Sequence, residues 1–412
     1  MTDTTAHAKK RLPAGWCVAL SGLGVNLALG VLYSWSVFAS ALWARGWTAT
    51  QTQLPYMVAC AVFAVMMVPG GRLQDRFGPR PVLIAASLLT GAGFVLSGLF
   101  LSLEGLLIFF GVIFGAAMAF GYACTTPAAI KWFCPQKRGL VSGIVVSGFG
   151  LAGIYVAPLT NFLLHTFTLE LAFIVLGVFY CIIIFLLHFL VKNPPADYIP
   201  EPSPVKKIIN KVSSNDFTVK QMMKTFGFYA LWLMFFCGTF AGLKVLGQLS
   251  NIGKEQAALS LHEASLLVMI YALFNCIGRF LCGILSDKIG RKITLSSIFL
   301  MQVITYMFFS QLNTFATLAA GTVLIAFSFG GMLTLFPSLT ADYFGLKNLG
   351  LNYGIVFTAW GVGGVLGPLV GGIVRDRTQM FDLGYIISLA VCIVGFVLSL
   401  LTRSPKTKDQ SR

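Results

Sequence analysis

The feature that most constrains this chain is a series of long apolar segments separated by short polar ones. Each segment reaches about 20 residues, the length of helix that crosses a bilayer. Because every backbone amide in lipid must be bonded within the protein, we expect segments of this length to be helices. The sequence therefore predicts an all-α membrane protein with twelve transmembrane helices. They lie near residues 15–43, 52–70, 81–103, 105–130, 140–164, 168–191, 226–250, 261–285, 293–311, 314–340, 348–374 and 382–402.

The charged residues are few and unevenly placed. They make up 10% of the chain, against roughly 25% in soluble domains, and the formal net charge is +15. Most Lys and Arg residues lie in the termini and in every second loop, which the positive-inside rule assigns to the cytoplasm. We therefore expect a multi-pass protein of the inner or plasma membrane with both termini cytoplasmic, in contact with anionic lipid and with no nucleic-acid partner. The basic N-terminal stretch predicts no separate cleaved signal peptide.

A stretch rich in proline and charge divides the twelve segments into two sets of six. It begins "KNPPADYIPEPSPVKK" at residue 192, and such a composition cannot cross a bilayer. We therefore predict an N-terminal six-helix bundle over residues 1–191, a cytoplasmic linker over 192–225 and a C-terminal six-helix bundle over 226–412.

The loop after segment 2 recurs after segment 8. "GRLQDRFGPR" (71–80) and "GILSDKIGRK" (283–292) share two glycines, an aspartate and two basic positions. Glycine permits a tight turn or close helix approach, aspartate can accept hydrogen bonds from helix-end amides and cations, and basic residues hold a loop in the cytoplasm. One copy is compatible with a plain charged turn, whereas two copies in register indicate an internal repeat. With Arg138 of the next motif, the candidate conformational residues are Asp75, Arg76, Arg80, Arg138, Asp287, Lys288 and Arg291.

This repeated loop resembles the one that the major facilitator superfamily carries between helices 2 and 3 and again between helices 8 and 9. The resemblance covers the whole chain and implies two six-helix bundles that rock around a central site by alternating access. "KWFCPQKRGLVSGIVVSGFG" (131–150) is similar to the helix 4–5 signature of the monocarboxylate transporters. "YSW" (33–35), "KWFC" (131–134) and "NYG" (352–354) have counterparts in the bacterial oxalate/formate antiporter group. The small residues of these motifs also suit helix packing.

Arg279 lies inside an apolar segment, eight residues before Asp287 and so about 12 Å along a helix from the loop. A buried arginine costs at least about 2.5–3.5 kcal/mol near the bilayer centre and usually faces a cavity or a partner. No segment carries a carboxylate at its middle. A substrate anion can supply the partner through two parallel hydrogen bonds; bonding to backbone carbonyls or to an acid at a helix end is the alternative. In both families that the chain resembles, helix 8 has a functional arginine at this place.

Two positions depart from these families. Asn275, one turn before Arg279, stands where the animal monocarboxylate transporters have an aspartate implicated in proton coupling, which puts a side-chain proton relay at this position in doubt. A substrate carboxylate that carries the proton itself is one way in which coupling could persist. Asn275 is either a substrate ligand or the donor of an inter-helix hydrogen bond. Trp360 occupies the place of a helix 11 lysine that assists a second carboxylate in the oxalate transporter. We expect Lys244, roughly 25 Å along its helix, to snorkel to the outer interface rather than replace that lysine.

The remaining candidates for the site are tyrosines, an amide and aromatic rings. Tyr33 and Tyr122 match tyrosines that look like binding-site positions in the oxalate/formate group, and each could donate a hydroxyl to the anion or bond to a neighbouring helix. Asn26 is more simply a packing amide. Four further rings are candidates to wall a cavity and exclude larger anions: Phe329, Phe336, Phe357 and Trp360.

These observations favour a secondary transporter of small monocarboxylates, such as lactate or pyruvate, by proton symport. The four histidines and nine cysteines lack metal-ligand spacing, and no phosphate-binding loop points to ATP. We therefore expect no metal, no cofactor and a monomer, with a small carboxylate and protons as partners. An exchanger of the oxalate/formate type and a receptor with a transporter fold are the alternatives. An enzyme is disfavoured, since no nucleophile, base or metal cluster lies inside the segments.

Overall fold

The computed structural model describes residues 14–195, 198, 216–378 and 380–402, and within these ranges the chain consists of helices joined by turns and loops, with no strand. Twelve helices are long and apolar enough to cross a membrane. The predicted terminal tails and the middle of the predicted linker lie outside the described residues. The helices are α1 (Ala14–Leu29, the 3-10 turn Gly30–Ser34 and Trp35–Ala44), α2 (Ala49–Phe77), α3 (Pro79–Leu99), α4 (Leu103–Leu106, the π-helical Leu107–Phe114 and Gly115–Ile130), α5 (Arg138–Thr166), α6 (Leu169–Leu187), α7 (Phe226–Gln256), α8 (Leu261–Ile289), α9 (Arg291–Phe308), α10 (Phe315–Phe344), α11 (Leu349–Thr378) and α12 (Asp382–Leu401).

Local sequence signals begin and end several of these helices. Thr48, Ser260 and Thr314 cap α2, α8 and α10, each in a reciprocal pair with the residue three positions on. Glycines with positive φ end α2 and α8: Gly78 has φ +80° and Gly290 has φ +95°. Only glycine adopts such angles without strain, so the repeated loop of the sequence is a one-residue break between helices.

Helices α2 and α8 extend further than the apolar segments predict. They end at Phe77 and Ile289, several residues after the predicted ends near 70 and 285. The charged positions of the repeat therefore lie on the last helical turns rather than in a loop. Loss of apolar character marks where a helix leaves the membrane, whereas the helix itself continues until a glycine breaks it.

The twelve helices form two six-helix bundles, the N-half (α1–α6) and the C-half (α7–α12), which meet through two equivalent contacts. Helix α2 packs against α11, and α5 packs against α8. Both contacts are glycine to glycine, since a Cβ added to Gly71 would collide with the carbonyl of Gly350 and one added to Gly139 would collide with that of Gly283. These four glycines let the halves approach backbone to backbone.

The ends of the linker dock on the same end of the bundle as these contacts, which we call the linker face. Trp132 Nε1 donates a 2.8 Å hydrogen bond to the carbonyl of Lys192. The backbone carbonyl of Phe217 accepts 3.0 Å bonds from the side-chain amides of Asn348 and Asn352. The linker thus contacts the loop before α5 and the start of α11, the two helices whose first turns pack against the other half.

Candidate functional site

Arg279 is buried at the contact between the halves, with 1% of its surface exposed. Its Nε donates a 3.1 Å hydrogen bond to Asn275 Oδ1, and its Nη1 donates a 2.8 Å bond to the backbone carbonyl of Val146 in the N-half. The guanidinium therefore bridges α8 to α5. The backbone carbonyl that the sequence left open as a partner is therefore present in this conformation.

Small residues make room for this arginine. A Cβ at Gly150 would lie 3.6 Å from Arg279 Cζ, and one at Gly143 would lie 2.6 Å from the Arg279 carbonyl. Asn275 is fixed in turn, because its Nδ2 donates a 3.4 Å bond to the carbonyl of Ala326 on α10. The amide thus orients the guanidinium from one side and ties α8 to α10 from the other.

Aromatic rings of both halves gather in a cluster at the same contact, which we call the aromatic cluster. Tyr122 of α4 lies 5.4 Å from Phe357 of α11, and Phe357 stacks 5.1 Å from Trp360, all between ring centroids. Phe63 of α2 lies 5.5 Å from Trp360. Phe336 contacts the cluster through Phe235. The Phe235 ring stacks on the Phe336 ring at 4.2 Å and lies 5.9 Å from the Phe357 ring, between centroids. The cluster consists of Phe63, Tyr122, Phe149, Phe235, Phe336, Tyr353, Phe357 and Trp360.

One polar atom of this cluster, Trp360 Nε1, is buried and has no hydrogen-bond partner among the described residues. Tyr353, on the same helix, is buried with its hydroxyl facing that of Tyr122, and it lies within electrostatic range of Arg279. Buried polar groups are normally hydrogen-bonded, so a vacant indole N–H beside a buried cation suits a small anion with an additional acceptor atom.

Two predicted site residues lie elsewhere or are not described. Phe329 packs on Gly242 of α7, inside the C-half, since a Cβ at that glycine would lie 2.7 Å from its ring; it belongs to the core rather than to the aromatic cluster. Tyr33 lies in the 3-10 turn that interrupts α1, and its side chain is outside the described part of the structure. Asn26 donates to the Val145 carbonyl at 2.8 Å, as expected of a packing amide.

The prediction that Lys244 snorkels to the outer interface is wrong. The residue is 1% exposed, and its Nζ lies 4.7 Å from the centroid of the Tyr385 ring. Helix α7 continues to Gln256, so Lys244 is three turns from the helix end. Gly384 of α12 leaves the space that the ammonium group occupies, since a Cβ there would lie 2.7 Å from Nζ.

The repeated aspartates form two clamps on the linker face. Asp75 accepts hydrogen bonds from the backbone amides of Gly350 at 3.1 Å and Leu351 at 2.7 Å. Both amides belong to the first turn of α11 in the other half, where backbone N–H groups have no partner within the helix. The carboxylate thereby meets the positive end of the α11 dipole.

Asp287 repeats this geometry in the opposite direction. It accepts bonds from the amides of Gly139 at 2.9 Å and Leu140 at 2.6 Å, in the first turn of α5. Each half therefore caps one helix of the other.

The two clamps differ in the side chains that support them. Asp75 has Lys131 at 3.5 Å, within its own half. Asp287 pairs with Arg291 at 2.5 Å, Arg291 reaches Asp342 at 3.2 Å, and Asp342 pairs across the interface with Arg138 at 2.9 Å. The second clamp is therefore part of a network of four buried or partly buried charges that joins both halves.

The other predicted conformational residues make local contacts. Arg80 donates a 2.7 Å bond to the carbonyl of Phe189 within the N-half. Arg76 and Lys288 are exposed. Sequence reasoning did not select Asp342, Phe63, Phe149, Phe235 or Tyr353 for the site. Tyr353 and Phe149 stand in motifs that the sequence displays, whereas nothing distinguishes Phe63 among 36 phenylalanines.

Comparison with known proteins identifies the family to which this architecture belongs. The family model described as Major Facilitator Superfamily matches residues 15–252 and 243–412. The uncharacterized MFS-type transporter YhjX of Escherichia coli (strain K12) is 31% identical over 353 residues, covering 85% of this chain and 86% of that protein. The oxalate:formate antiporter of Oxalobacter formigenes is 28% identical over 385 residues, covering 93% of this chain and 90% of its own length. Monocarboxylate transporter 13 of Rattus norvegicus is 22% identical over 392 residues, covering 92% and 87%.

Solved structures agree on the fold. The crystal structure of the transporter FucP in the outward conformation superposes with a TM-score of 0.74 at 16% sequence identity, over 96% of this chain and all of the other. The twelve helices, the two bundles and the family match together show a membrane transporter and not an enzyme. The chain belongs to the Major Facilitator Superfamily.

Proposed function

We propose that this protein is a proton-coupled symporter of small monocarboxylates of the lactate and pyruvate class, which binds the carboxylate at Arg279. The observation that carries the proposal is a buried guanidinium at the contact between the halves, beside the aromatic cluster to which both halves contribute. A carboxylate can accept two parallel hydrogen bonds from such a group. The site thus has its cation where a transported anion must pass.

Binding at Arg279 also gives a physical link to rocking. In this conformation Nη1 of Arg279 is bonded to the Val146 carbonyl of the other half. A carboxylate competes with that carbonyl for the guanidinium, and because a charged acceptor is the stronger one, the bond across the interface is exchanged for a bond to substrate. The substrate thereby favours separation of α5 from α8, since a ligand shifts a conformational equilibrium by its differential contacts.

The clamps define which side is closed. We assign the linker face to the cytoplasm by the positive-inside rule, so the bonds of Asp75 and Asp287 to helix ends keep the cytoplasmic side shut. In the proposed cycle they break as the halves rock, and the anion and its proton leave to the cytoplasm.

The charge of the site favours monoanions. Trp360 lies in the aromatic cluster, where the oxalate transporters that the sequence resembles have a lysine, and Arg279 is the cation beside the cluster. One cation neutralises one carboxylate, and burying a second carboxylate without a partner is costly. The similarity to a monocarboxylate transporter supports the same class.

Exchange of organic anions is the second candidate. It is supported by the similarity to the oxalate:formate antiporter and by the vacant donor Trp360 Nε1, which suits an anion with an additional acceptor. In this alternative, the halves rock only while Arg279 holds an anion. Uptake of one anion therefore requires a second anion to be carried out from the opposite side.

Reconstituted liposomes separate the two candidates. We would follow labelled L-lactate into vesicles with an acidic exterior and no anion substrate inside, subtracting passive entry into protein-free vesicles. Symport predicts accumulation above the external concentration that collapses when a protonophore is added. Uptake that appears only after preloading with a carboxylate would replace the proposal with the exchanger.

A further inference from the structure

Lys244 is a buried basic group that the proposed carboxylate site does not use. It lies in α7 with 1% of its surface exposed, and its Nζ has no hydrogen-bond partner among the described residues. An ionisable side chain inside a transmembrane segment is costly and usually functional. Its place and its missing acceptor therefore need an explanation.

The described groups that contact or face Nζ are neutral. Helix α12 contributes the Tyr385 ring at 4.7 Å and the Cys392 thiol, and α9 contributes Tyr306 next to that thiol. Helix α11 lies against this part of α7 through Gly367, which carries no ionisable group. Asp382 faces Tyr385 from the first turn of α12. A cation–π contact offsets part of the cost of an ammonium ion, but none of the described side chains forms an ion pair with Nζ, so the site can be occupied by the amine or by its protonated form.

Polar groups lead from Lys244 to the end of the bundle opposite the linker face. Gln248, one turn further along α7, also has a buried Oε1 without a partner among the described residues. Beyond it, Gln256 accepts a 2.7 Å hydrogen bond from Tyr385 Oη and donates to the carbonyls of Phe309 and Leu312 at 2.8 and 3.1 Å. These side chains place hydrogen-bonding groups between Nζ and the water on that side, from which the proton comes.

The position of Lys244 also connects it to the substrate helix. Gly363 and Gly367 of α11 pack directly on the α7 backbone, and a Cβ at Gly367 would lie 3.3 Å from the Lys244 amide nitrogen. Helix α11 carries Tyr353, Phe357 and Trp360 of the aromatic cluster. A change of charge at Lys244 therefore acts on the helix that lines the proposed anion site.

We propose that Lys244 is the proton-binding residue of the transport cycle. The lone pair of Nζ takes a proton from water on the side opposite the linker face, and the ammonium returns that proton to water on the linker side after the halves rock. One proton on Lys244 and one monocarboxylate on Arg279 make the transported pair electroneutral. This inference rests on the proposed symport, and it supplies the titratable group that Asn275 cannot provide on α8.

The test compares Lys244→Gln with Lys254→Gln, a substitution of the same kind at an exposed lysine of the same helix. Each protein is reconstituted for two assays with labelled L-lactate: accumulation driven by an inward proton gradient, and exchange against internal lactate at equal pH. Wild type and Lys254→Gln should accumulate lactate about tenfold per pH unit of gradient. One proton moves with each anion, and one pH unit is a tenfold ratio of proton concentrations, equivalent to about 1.4 kcal/mol. Lys244→Gln should lose accumulation while exchange stays within about twofold of wild type.

Each other result has a defined meaning. Accumulation by Lys244→Gln at the wild-type level would overturn the assignment of Lys244 and leave symport intact. Loss of exchange in both Lys244→Gln and Lys244→Arg would also overturn it, because the residue would then be structural. Lys244→Arg should behave like Lys244→Gln, since arginine keeps its proton. A wild-type protein that exchanges but never accumulates would overturn the proposed symport and this inference together.

Discussion

The N-half and the C-half meet through two contacts that share a backbone geometry and differ in their charges. Asp75 caps α11 with the help of Lys131, whereas Asp287 caps α5 within a network that includes Arg291, Asp342 and Arg138. In both contacts glycines bring the backbones together. From this difference we propose that the α5–α8 contact carries more of the free energy that closes the linker face.

The same comparison extends to the proposed substrate site. Met67 lies four residues before Gly71, and Arg279 lies four residues before Gly283. Their carbonyls occupy equivalent places, because a Cβ at Gly354 would lie 2.5 Å from the Met67 carbonyl and one at Gly143 would lie 2.6 Å from that of Arg279. The repeat therefore offers two equivalent positions, of which one holds an arginine and the other a thioether. Anion binding is expected from the C-half position alone.

Arg279→Met makes the C-half position a copy of the N-half one and should have the largest effect. Losing one partner of a buried, hydrogen-bonded charge pair costs about 2 kcal/mol or more, so lactate uptake should fall at least about 30-fold. The measurement is initial uptake into liposomes at matched protein content, with Met67→Leu as the control. Unchanged uptake by Arg279→Met would remove the distinction between the two halves.

Asp287→Asn should open the linker face more than Asp75→Asn. Each substitution weakens two charge-assisted bonds to helix amides and removes one ion pair, but the pair of Asp287 with Arg291 at 2.5 Å is closer than that of Asp75 with Lys131 at 3.5 Å and belongs to the larger network. We expect the ratio of open to closed molecules to rise about tenfold for Asp287→Asn, about 1.4 kcal/mol, and about threefold for Asp75→Asn.

Matched spin-label pairs measure that opening. Phe77 with Lys347 reports the α2–α11 contact, and Ile289 with Gln136 reports the α5–α8 contact; all four positions are exposed. Pulsed electron paramagnetic resonance, in a variant without native cysteines, gives the population of long distances for each pair. A larger effect of Asp75→Asn would reverse the proposed order of the two clamps.

Arg138→Leu gives α5 the same first residue as α11, which begins with Leu349. It removes the bond across the interface to Asp342 and leaves the Asp287 cap in place. We expect the open population at the Ile289–Gln136 pair to rise about fivefold, corresponding to about 1 kcal/mol. No change at that pair would show that the charged network adds nothing to the backbone contact.

Asp216→Ala tests the smallest contribution, that of the linker. Asp216 accepts hydrogen bonds from the amides of Leu346 and Lys347 just before α11, both at 2.9 Å, and it is exposed. Exposed capping bonds are worth about 0.5 kcal/mol at the low end, so opening at the Phe77–Lys347 pair should rise about twofold. The Ile289–Gln136 pair should rise by the same factor, because the halves separate as units; no change at either pair would show that this linker contact does not help to close the linker face.

Much of the fold follows from the sequence, for identifiable reasons. Apolar segments of bilayer length predict the twelve helices, and Gly78 and Gly290 predict the turns because their φ angles exclude other residues. The ends of α2 and α8 were predicted too early, since hydropathy measures contact with lipid rather than helix length.

The site follows from the sequence less completely. Arg279 stands out because a charge inside an apolar segment is costly, but its partner, the Val146 carbonyl, is a backbone atom that no sequence pattern marks. Phe329 and Phe336 carry equal sequence signals, yet only Phe336 joins the aromatic cluster. Lys244 was placed at the interface by counting residues, which cannot show that α12 encloses it.

The most direct test of the account is equilibrium binding of labelled L-lactate to purified wild type, Arg279→Met and Met67→Leu, each shown to be folded by thermal unfolding. We predict saturable binding by wild type and by Met67→Leu, and no saturable binding by Arg279→Met at the same concentrations. Binding by folded Arg279→Met with wild-type affinity would contradict the claim that Arg279 holds the transported carboxylate.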